Sequence, residues 1–309
     1  MIVAPRTADA TARLPVTGRF RALSYSFIVE TALPEVAELV ADLLHDLQAD
    51  DSDESLHRYA LREERHDRPY AVSVDGTLIR RVATPLSLVD ELLWHANREA
   101  IVTPDPRIAI HASAAVWDGR GFLFPAPANS GKTTLVTALL REGAEYVTDE
   151  AALLEPLGAR VHPYPKPLWM APGAVRAIGG LQERLRAEYR SLARIRAYVT
   201  PRTLGTTVAR GPVGIDLVVF PSYRQGGQTR LEPIGRAEAV VALARNAFDL
   251  TRFGEHGILA LARLVERARC YTLELGDLGE AVRMLAGLRA DSGSSTRSPH
   301  LDGGVDGTL

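Results

Sequence analysis

Val36, Leu39, Val40, Leu43, Leu44 and Leu47 put apolar residues three and four positions apart, which predicts an amphipathic helix. Pro34 suits its first turn, because the missing N–H would have no partner there anyway. Alternation with period two, or a short apolar run, predicts strands at Ser24–Val29, His57–Leu61, Tyr70–Val74 and Thr77–Val82. The last two are joined by Asp75-Gly76, a tight hairpin signal. Thr84-Pro85 opens a second helix running to about Ala100, and residues 1 to about 20 read as loosely ordered. These elements describe a small α+β unit over residues 1–103.

The pattern changes near Pro104. Arg107–Val116 alternates as a strand, Asp118-Gly119-Arg120-Gly121 turns, and Phe122–Phe124 is a short apolar strand. A helix from Lys132 to Arg141 follows, then a strand Glu145–Thr148 and a hairpin of Ala151–Leu154 with Ala159–His162. Pro163-Tyr164-Pro165-Lys166-Pro167 cannot be a central strand or a helix, since alternate residues lack a donor. Gly173–Tyr198 has a helical pattern rich in arginine and reads as a surface excursion, with a substrate-facing segment as the alternative. Ile215–Phe220 reads as a buried strand, followed by a strand Thr229–Pro233, helices over 236–246 and 257–267, a strand Cys270–Leu275 and a helix Leu278–Leu288. The result is an α/β second unit over 104–290. Residues 291–309 are rich in Gly, Ser and Asp and read as a disordered tail.

Composition narrows the function classes. The 309 residues are 46% hydrophobic and 24% charged with a net charge of −2, so nothing favours nucleic acid or an anionic membrane as partner. The one cysteine, Cys270, cannot form an internal disulfide, and no Cys/His spacing suggests zinc. Neither a signal peptide nor a membrane-length apolar run is present, and a cytoplasmic protein is the expectation. A homo-oligomer is left open.

Of the 36 basic residues only Lys132 and Lys166 are lysine. Lys132 stands in Ala126-Pro127-Ala128-Asn129-Ser130-Gly131-Lys132-Thr133-Thr134, between an apolar strand and a helix. A compact ammonium there can reach between phosphates, the first N–H groups of the helix can wrap them, and the Thr133 hydroxyl can join a Mg²⁺ shell. Against the pattern Gly-x-x-x-x-Gly-Lys-Ser/Thr this chain carries Ala126 where glycine is usual, acceptable only with negative φ. Asn129 is the non-glycine residue best suited to a left-handed position. One strand further on comes Asp149-Glu150. In a parallel sheet the carboxyl end of the next strand lies at the ligand crevice, where one acid can hold Mg²⁺ and the other take a proton.

The stretch His111–Glu150 resembles the catalytic core of the HPr kinase/phosphorylase superfamily. The shared pattern is a histidine-bearing strand, a glycine turn, an apolar strand, the loop with its helix, and a strand ending in an acidic pair. Pro163–Leu168, Val218-Val219-Phe220-Pro221 and Arg230-Leu231-Glu232-Pro233 resemble HPr-kinase-related proteins, some of which accompany ribosomal-peptide modification systems. The resemblance implies a P-loop core of the HPr kinase and phosphoenolpyruvate carboxykinase type, with a mixed sheet and a hairpin before the loop. It implies ATP and Mg²⁺ as cofactors and phosphoryl transfer to a hydroxyl, a serine of a peptide or small protein. Asn129, Ser130, Gly131, Lys132, Thr133 and Thr134 would bind nucleotide, and Thr133 and Glu150 the metal. Asp149 would be the base and His111 its neighbour, with Lys132 and Lys166 on phosphates or substrate. The Glu-x-Arg-Gly segment of the bifunctional enzymes is absent. A nucleotide-binding regulatory module, a small-molecule kinase, and ADP or pyrophosphate as donor stay open.

Overall fold

The structure is a computed structural model that describes residues 14–50, 56–157, 160–185 and 197–290. The tail at 291–309 and most of residues 1–20 lie outside them. Two sheets organise the chain.

The first sheet has the order β1-β2-β3-β4-β5. Its strands are β1 (Val16–Ala22), β2 (Tyr25–Thr31), β3 (His57–Glu63), β4 (Tyr70–Val74) and β5 (Thr77–Val82). Strand β1 is a correction, because its segment read as loosely ordered. Its side chains alternate weakly, and it is ordered by pairing with β2, where Phe20 sits opposite Phe27. That pairing is tertiary and leaves little trace in the local pattern. Strands β2 and β3 are parallel, bridged by helix α1 (Pro34–Leu43); the other neighbours are antiparallel. Helix α2 (Pro85–Val102) starts at Thr84, whose hydroxyl accepts the Ser87 N–H. Val36, Val40, Leu88, Val89 and Leu92 of these helices pack on Phe27, Val29, Tyr59 and Val72, and this core runs on into Ala151, Tyr164 and Tyr198 of the second unit. The Tyr164 hydroxyl donates to Asn97 Oδ1 at 2.9 Å across that junction.

The second sheet is mixed. Its strands are β6 (Ile108–Trp117), β7 (Arg120–Pro125), β8 (Glu145–Thr148), β9 (Ala151–Leu154), β10 (Arg160–His162), β13 (Val213–Gly214), β14 (Leu217–Tyr223), β15 (Arg230–Pro233) and β16 (Arg269–Leu275). A separate pair, β11 (Leu168–Met170) with β12 (Ala197–Val199), stands beside it. The order is β13-β10-β9-β6-β7-β14-β16-β15, with β8 also pairing β6. The apolar run of β7 splits between two cores by simple alternation. Phe122 and Phe124 face helices α3 (Lys132–Arg141) and α7 (Leu278–Ala290), while Leu123 faces α5 (Arg236–Arg245) and α6 (Gly254–Arg267). A short helix α4 (Pro172–Ala177) covers part of the first core. The expected helix over Gly173–Tyr198 is thus replaced, where described, by α4, a single turn at Leu181–Arg184 and strand β12; residues 186–196 lie outside the described residues.

The β6–β7 hairpin turns at Asp118-Gly119 with φ of 49° and 75°, the primed geometry its sequence predicts. Just beyond it, the Gly121 N–H donates to Asp216 Oδ2 and the Asp216 N–H to the Gly121 carbonyl, both at 2.9 Å. A Cβ on Gly121 would lie 1.9 Å from the Gly214 carbonyl oxygen. Gly121→Ala must therefore push β13 and β14 off β7, and urea unfolding is expected to show a loss of about 1–3 kcal/mol. An unchanged midpoint would mean that this close approach is not maintained in solution.

Candidate functional site

Strand β6 builds the site. Ala112 pairs with Pro125 on β7, and the Ala126 N–H donates to the His111 carbonyl at 3.3 Å. Ala126 is buried and is not among the residues with positive φ, which is the condition for alanine at that position. Asn129 has φ 64° and Gly131 φ 88°, and these two left-handed residues turn the chain into α3. The φ at 131 favours glycine, and a Cβ on Gly131 would also crowd Leu275 Cδ1 at 3.0 Å. The Leu135 N–H donates to the Gly131 carbonyl, so the N–H groups of Lys132, Thr133 and Thr134 have no partner within the helix. Those donors, with the positive end of the helix dipole, form a surface for an anion. Ser130 is buried, and its Oγ makes no hydrogen bond among the described residues.

Beside this loop lies a cleft of about 620 Å³, a volume typical of small-molecule sites. Asn129, Gly131, Lys132, Thr133 and Thr134 line it together with Trp169, Met170, Ala171, Tyr223 and Gly276–Leu278.

The acidic pair arrives by a different route from the one its spacing suggests. Strand β8 is not a parallel neighbour of β7; it is antiparallel to β6, with β6 between them. Thr148 of β8 pairs with Ala114, and Ala151 of β9 pairs with His111, so Asp149 and Glu150 bridge two strands that share one edge of β6. Both β7 and β8 run against β6, so their carboxyl ends reach the same level. Asp149 is only 3% exposed; its Oδ1 accepts from Ser113 Oγ at 2.5 Å, and the Thr133 side chain hydrogen-bonds to it. Burial raises the Asp149 pKa, against the opposing effects of Lys166, Ser113 and Thr133.

Glu150 holds the other cluster. His111 Nε2 lies 3.6 Å from its Oε1, and Lys166 Nζ lies 3.7 Å from its Oε2. His111, expected beside Asp149, therefore faces Glu150 instead, since it is one strand pair nearer β9. Burial, with Lys132 and Lys166 adding to it and Glu150 opposing, lowers the His111 pKa and favours the neutral ring. Lys132 is buried, and its Nζ donates to the Pro127 carbonyl at 3.3 Å. Burial depresses its pKa, while Asp149 and Glu150 raise it.

Lys166 reaches the cluster because the proline-rich segment is held against β8. The Tyr164 N–H donates to the Val147 carbonyl at 2.9 Å, and the buried Tyr146 hydroxyl donates to the Lys166 carbonyl at 3.0 Å. Loop, acidic pair, His111 and both lysines thus meet at one place. Ser113 was missed by sequence reasoning; its signal was period two, which puts it on the same face of β6 as His111. Trp169 and Tyr223, which line the cleft, had no local signal.

Among the described residues no group of three or more His, Cys, Asp and Glu could hold a metal ion by itself, and no helix is long and apolar enough to cross a membrane. No protein-family model matches the chain, and no curated protein matches it significantly.

The Asp149 shift has a consequence for stability. A carboxyl whose folded pKa lies above its unfolded value holds its proton more tightly in the folded state. Its ionisation therefore lowers stability as pH rises from the ordinary carboxylate value through the folded one, and the loss persists above that. Asp149→Asn removes this loss. In thermal melts without nucleotide the variant is expected to melt above the wild type at pH 7 to 8, with the gap closing as pH falls toward 4. A gap independent of pH would show that Asp149 carries no buried-charge penalty.

Proposed function

We propose that this chain is an ATP- and Mg²⁺-dependent kinase that phosphorylates a hydroxyl, a serine of a peptide or small protein, on a P-loop core of the HPr kinase/phosphorylase type. The observation that carries this reading is the convergence of Lys132, Thr133, Asp149, Glu150 and Lys166 on one helix start. Phosphoryl transfer needs little more than held phosphates, charge neutralisation and a placed base.

The loop from Asn129 to Gly131 and the first N–H groups of α3 would wrap the β- and γ-phosphates, with the Lys132 ammonium between them. The orphaned Ser130 Oγ offers one more donor. The adjoining cleft has room for the nucleoside. The donor set suits Mg²⁺, which takes one or two protein oxygens and fills its remaining positions with phosphate and water. Thr133 would hold it, with Asp149 hydrogen-bonded behind the hydroxyl. Mg²⁺ bound there would supply charge neutralisation for the phosphates.

This pairing argues for exchanging the roles that the resemblance implies for the two acids. Asp149 is enclosed and already bonded to Ser113 and Thr133, whereas the Glu150 side chain is 28% exposed and open to an incoming hydroxyl. Glu150 would take the hydroxyl proton as the new O–P bond forms and the bond from the γ-phosphorus to ADP breaks. His111 and Lys166 stand 3.6 and 3.7 Å from its two oxygens, and Lys166 is also placed to meet charge on the transferred group. A nucleotide-binding module without transfer is the second reading, favoured by Ala126 where glycine is usual in such loops.

Calorimetry with ATP, with and without Mg²⁺, and transfer of labelled phosphate to serine peptides test this. Lys132→Ala is expected to lose ATP binding. Glu150→Gln keeps Mg-ATP binding and loses roughly 10²–10⁴-fold in transfer. Asp149→Asn loses the Mg²⁺ dependence of binding. Loss of transfer with intact Mg-ATP binding in Asp149→Asn alone would return the base to Asp149. Binding without transfer to any peptide would favour the second reading, and no ATP binding by the wild type would end both.

A further inference from the structure

The five-stranded sheet and its helices wall one side of the charged cluster. Between α2 and the Pro163–Trp169 strap lies a cavity of about 50 Å³, lined mainly by Phe27, Leu44, Leu93, Ala96, Trp169 and Tyr198. Trp94, 46% exposed, stands at its rim. Its lining also includes Asn97, Lys166 and Tyr164, and the Tyr198 hydroxyl is taken by Asp90. Asn97 Oδ1 is taken by the Tyr164 hydroxyl, which leaves the amide N–H groups of Asn97 as donors for a ligand carbonyl.

Two residues connect this cavity to the proposed chemistry. Lys166 lines it, and its ammonium is 3.7 Å from Glu150. Trp169 lines both the cavity and the cleft beside Lys132 and Thr133. Nucleotide cleft, base and cavity therefore follow one another, with the cavity about one lysine side chain, roughly 6 Å, from the base. An extended peptide advances about 3.3 Å per residue, so a side chain in the cavity belongs to a residue next to the acceptor or one further on.

The volume selects the kind of ligand. Sites that enclose a small molecule run to roughly 300–1,000 Å³. This cavity is far smaller and has room for one aliphatic side chain, with the rest of the ligand outside against Trp94 and Asn97. Resting on the kinase reading above, we propose that the cavity seats an apolar side chain flanking the acceptor serine of a peptide, and that α2 is the element that selects this substrate.

Two of the three tryptophans, Trp94 and Trp169, line the cavity, so their fluorescence reports its occupancy. The test titrates the full chain, with Mg²⁺ and a non-hydrolysable ATP analogue, against six-residue peptides carrying one serine flanked on both sides by valine, leucine, glycine or aspartate. Valine- or leucine-flanked peptides are expected to bind roughly tenfold or more tighter than the glycine-flanked one. Ala96→Leu, which fills the cavity, and Trp94→Ala, an exposed change that spares the fold, should each remove that preference and leave nucleotide binding as in the wild type. Equal affinity for the glycine- and valine-flanked peptides would overturn the proposal, as would a preference that survives Ala96→Leu. So would displacement of the valine-flanked peptide by a free aliphatic alcohol at equal concentration, which would assign the cavity to a small molecule. The readout is independent of turnover. With the same peptides and labelled ATP in a separate assay, a preference without phosphate transfer would sink the kinase reading and leave the peptide site standing; transfer without preference would do the reverse.

Discussion

The main-chain register of β6 is the constraint on which the rest of this molecule depends. One edge of the strand is shared between β8 and β9, and the other carries β7 and the loop that leaves it. His111 and Ser113, two residues apart on one face, are thereby aimed at Glu150 and Asp149, while the His111 carbonyl fixes Ala126 at the start of the loop. A slip of one residue would turn both side chains to the opposite face and carry the acidic pair away from Lys132. The apolar alternation of Phe122, Leu123 and Phe124 between two cores guards against that slip, because each residue would then meet the wrong core.

The charged cluster is poorly satisfied by its own members. The contacts of Glu150 to His111 and Lys166 are 3.6 and 3.7 Å, longer than close hydrogen bonds; Lys132 has a carbonyl at 3.3 Å, and the Ser130 Oγ has no partner among the described residues. Buried polar groups are ordinarily paired, and leaving one unpaired costs about 1–3 kcal/mol. On the proposed reading, a surface that holds two ammonium groups, free helix N–H donors and an unpaired hydroxyl beside the two carboxylates would be completed by an anionic ligand with its cation. The junction with the five-stranded sheet serves the same end. Tyr164 and Tyr198 sit in the N-terminal core while the strap between Pro163 and Trp169 delivers Lys166.

What could be read from the sequence was local. The hairpins at Asp75-Gly76 and Asp118-Gly119, helix α3 from Lys132 to Arg141, and the left-handed Asn129 follow from turn chemistry and periodicity within a few residues. The convergence of Lys166 on the acidic pair was visible only as the rarity of lysine in the chain. What escaped was set by distant pairing. Strand β1 exists through β2, β12 through β11, and the antiparallel placement of β8 through a strand thirty residues earlier in the chain. The partner of His111 and the cavity under α2 depend on that placement and have no signature along the chain.

The proposed function requires that the loop, the acidic pair and Lys166 form one nucleotide site. Amide and lysine side-chain resonances of isotopically labelled protein, followed during titration with Mg²⁺ and a non-hydrolysable ATP analogue, test this directly. Saturable shifts are expected in the amides of Ser130 to Thr134, with Glu150 and the Lys166 ammonium moving on the same binding curve, and none of these shifts in Lys132→Ala. Shifts confined to other surfaces, or loop shifts that leave Glu150 and Lys166 unmoved, would contradict the proposed function.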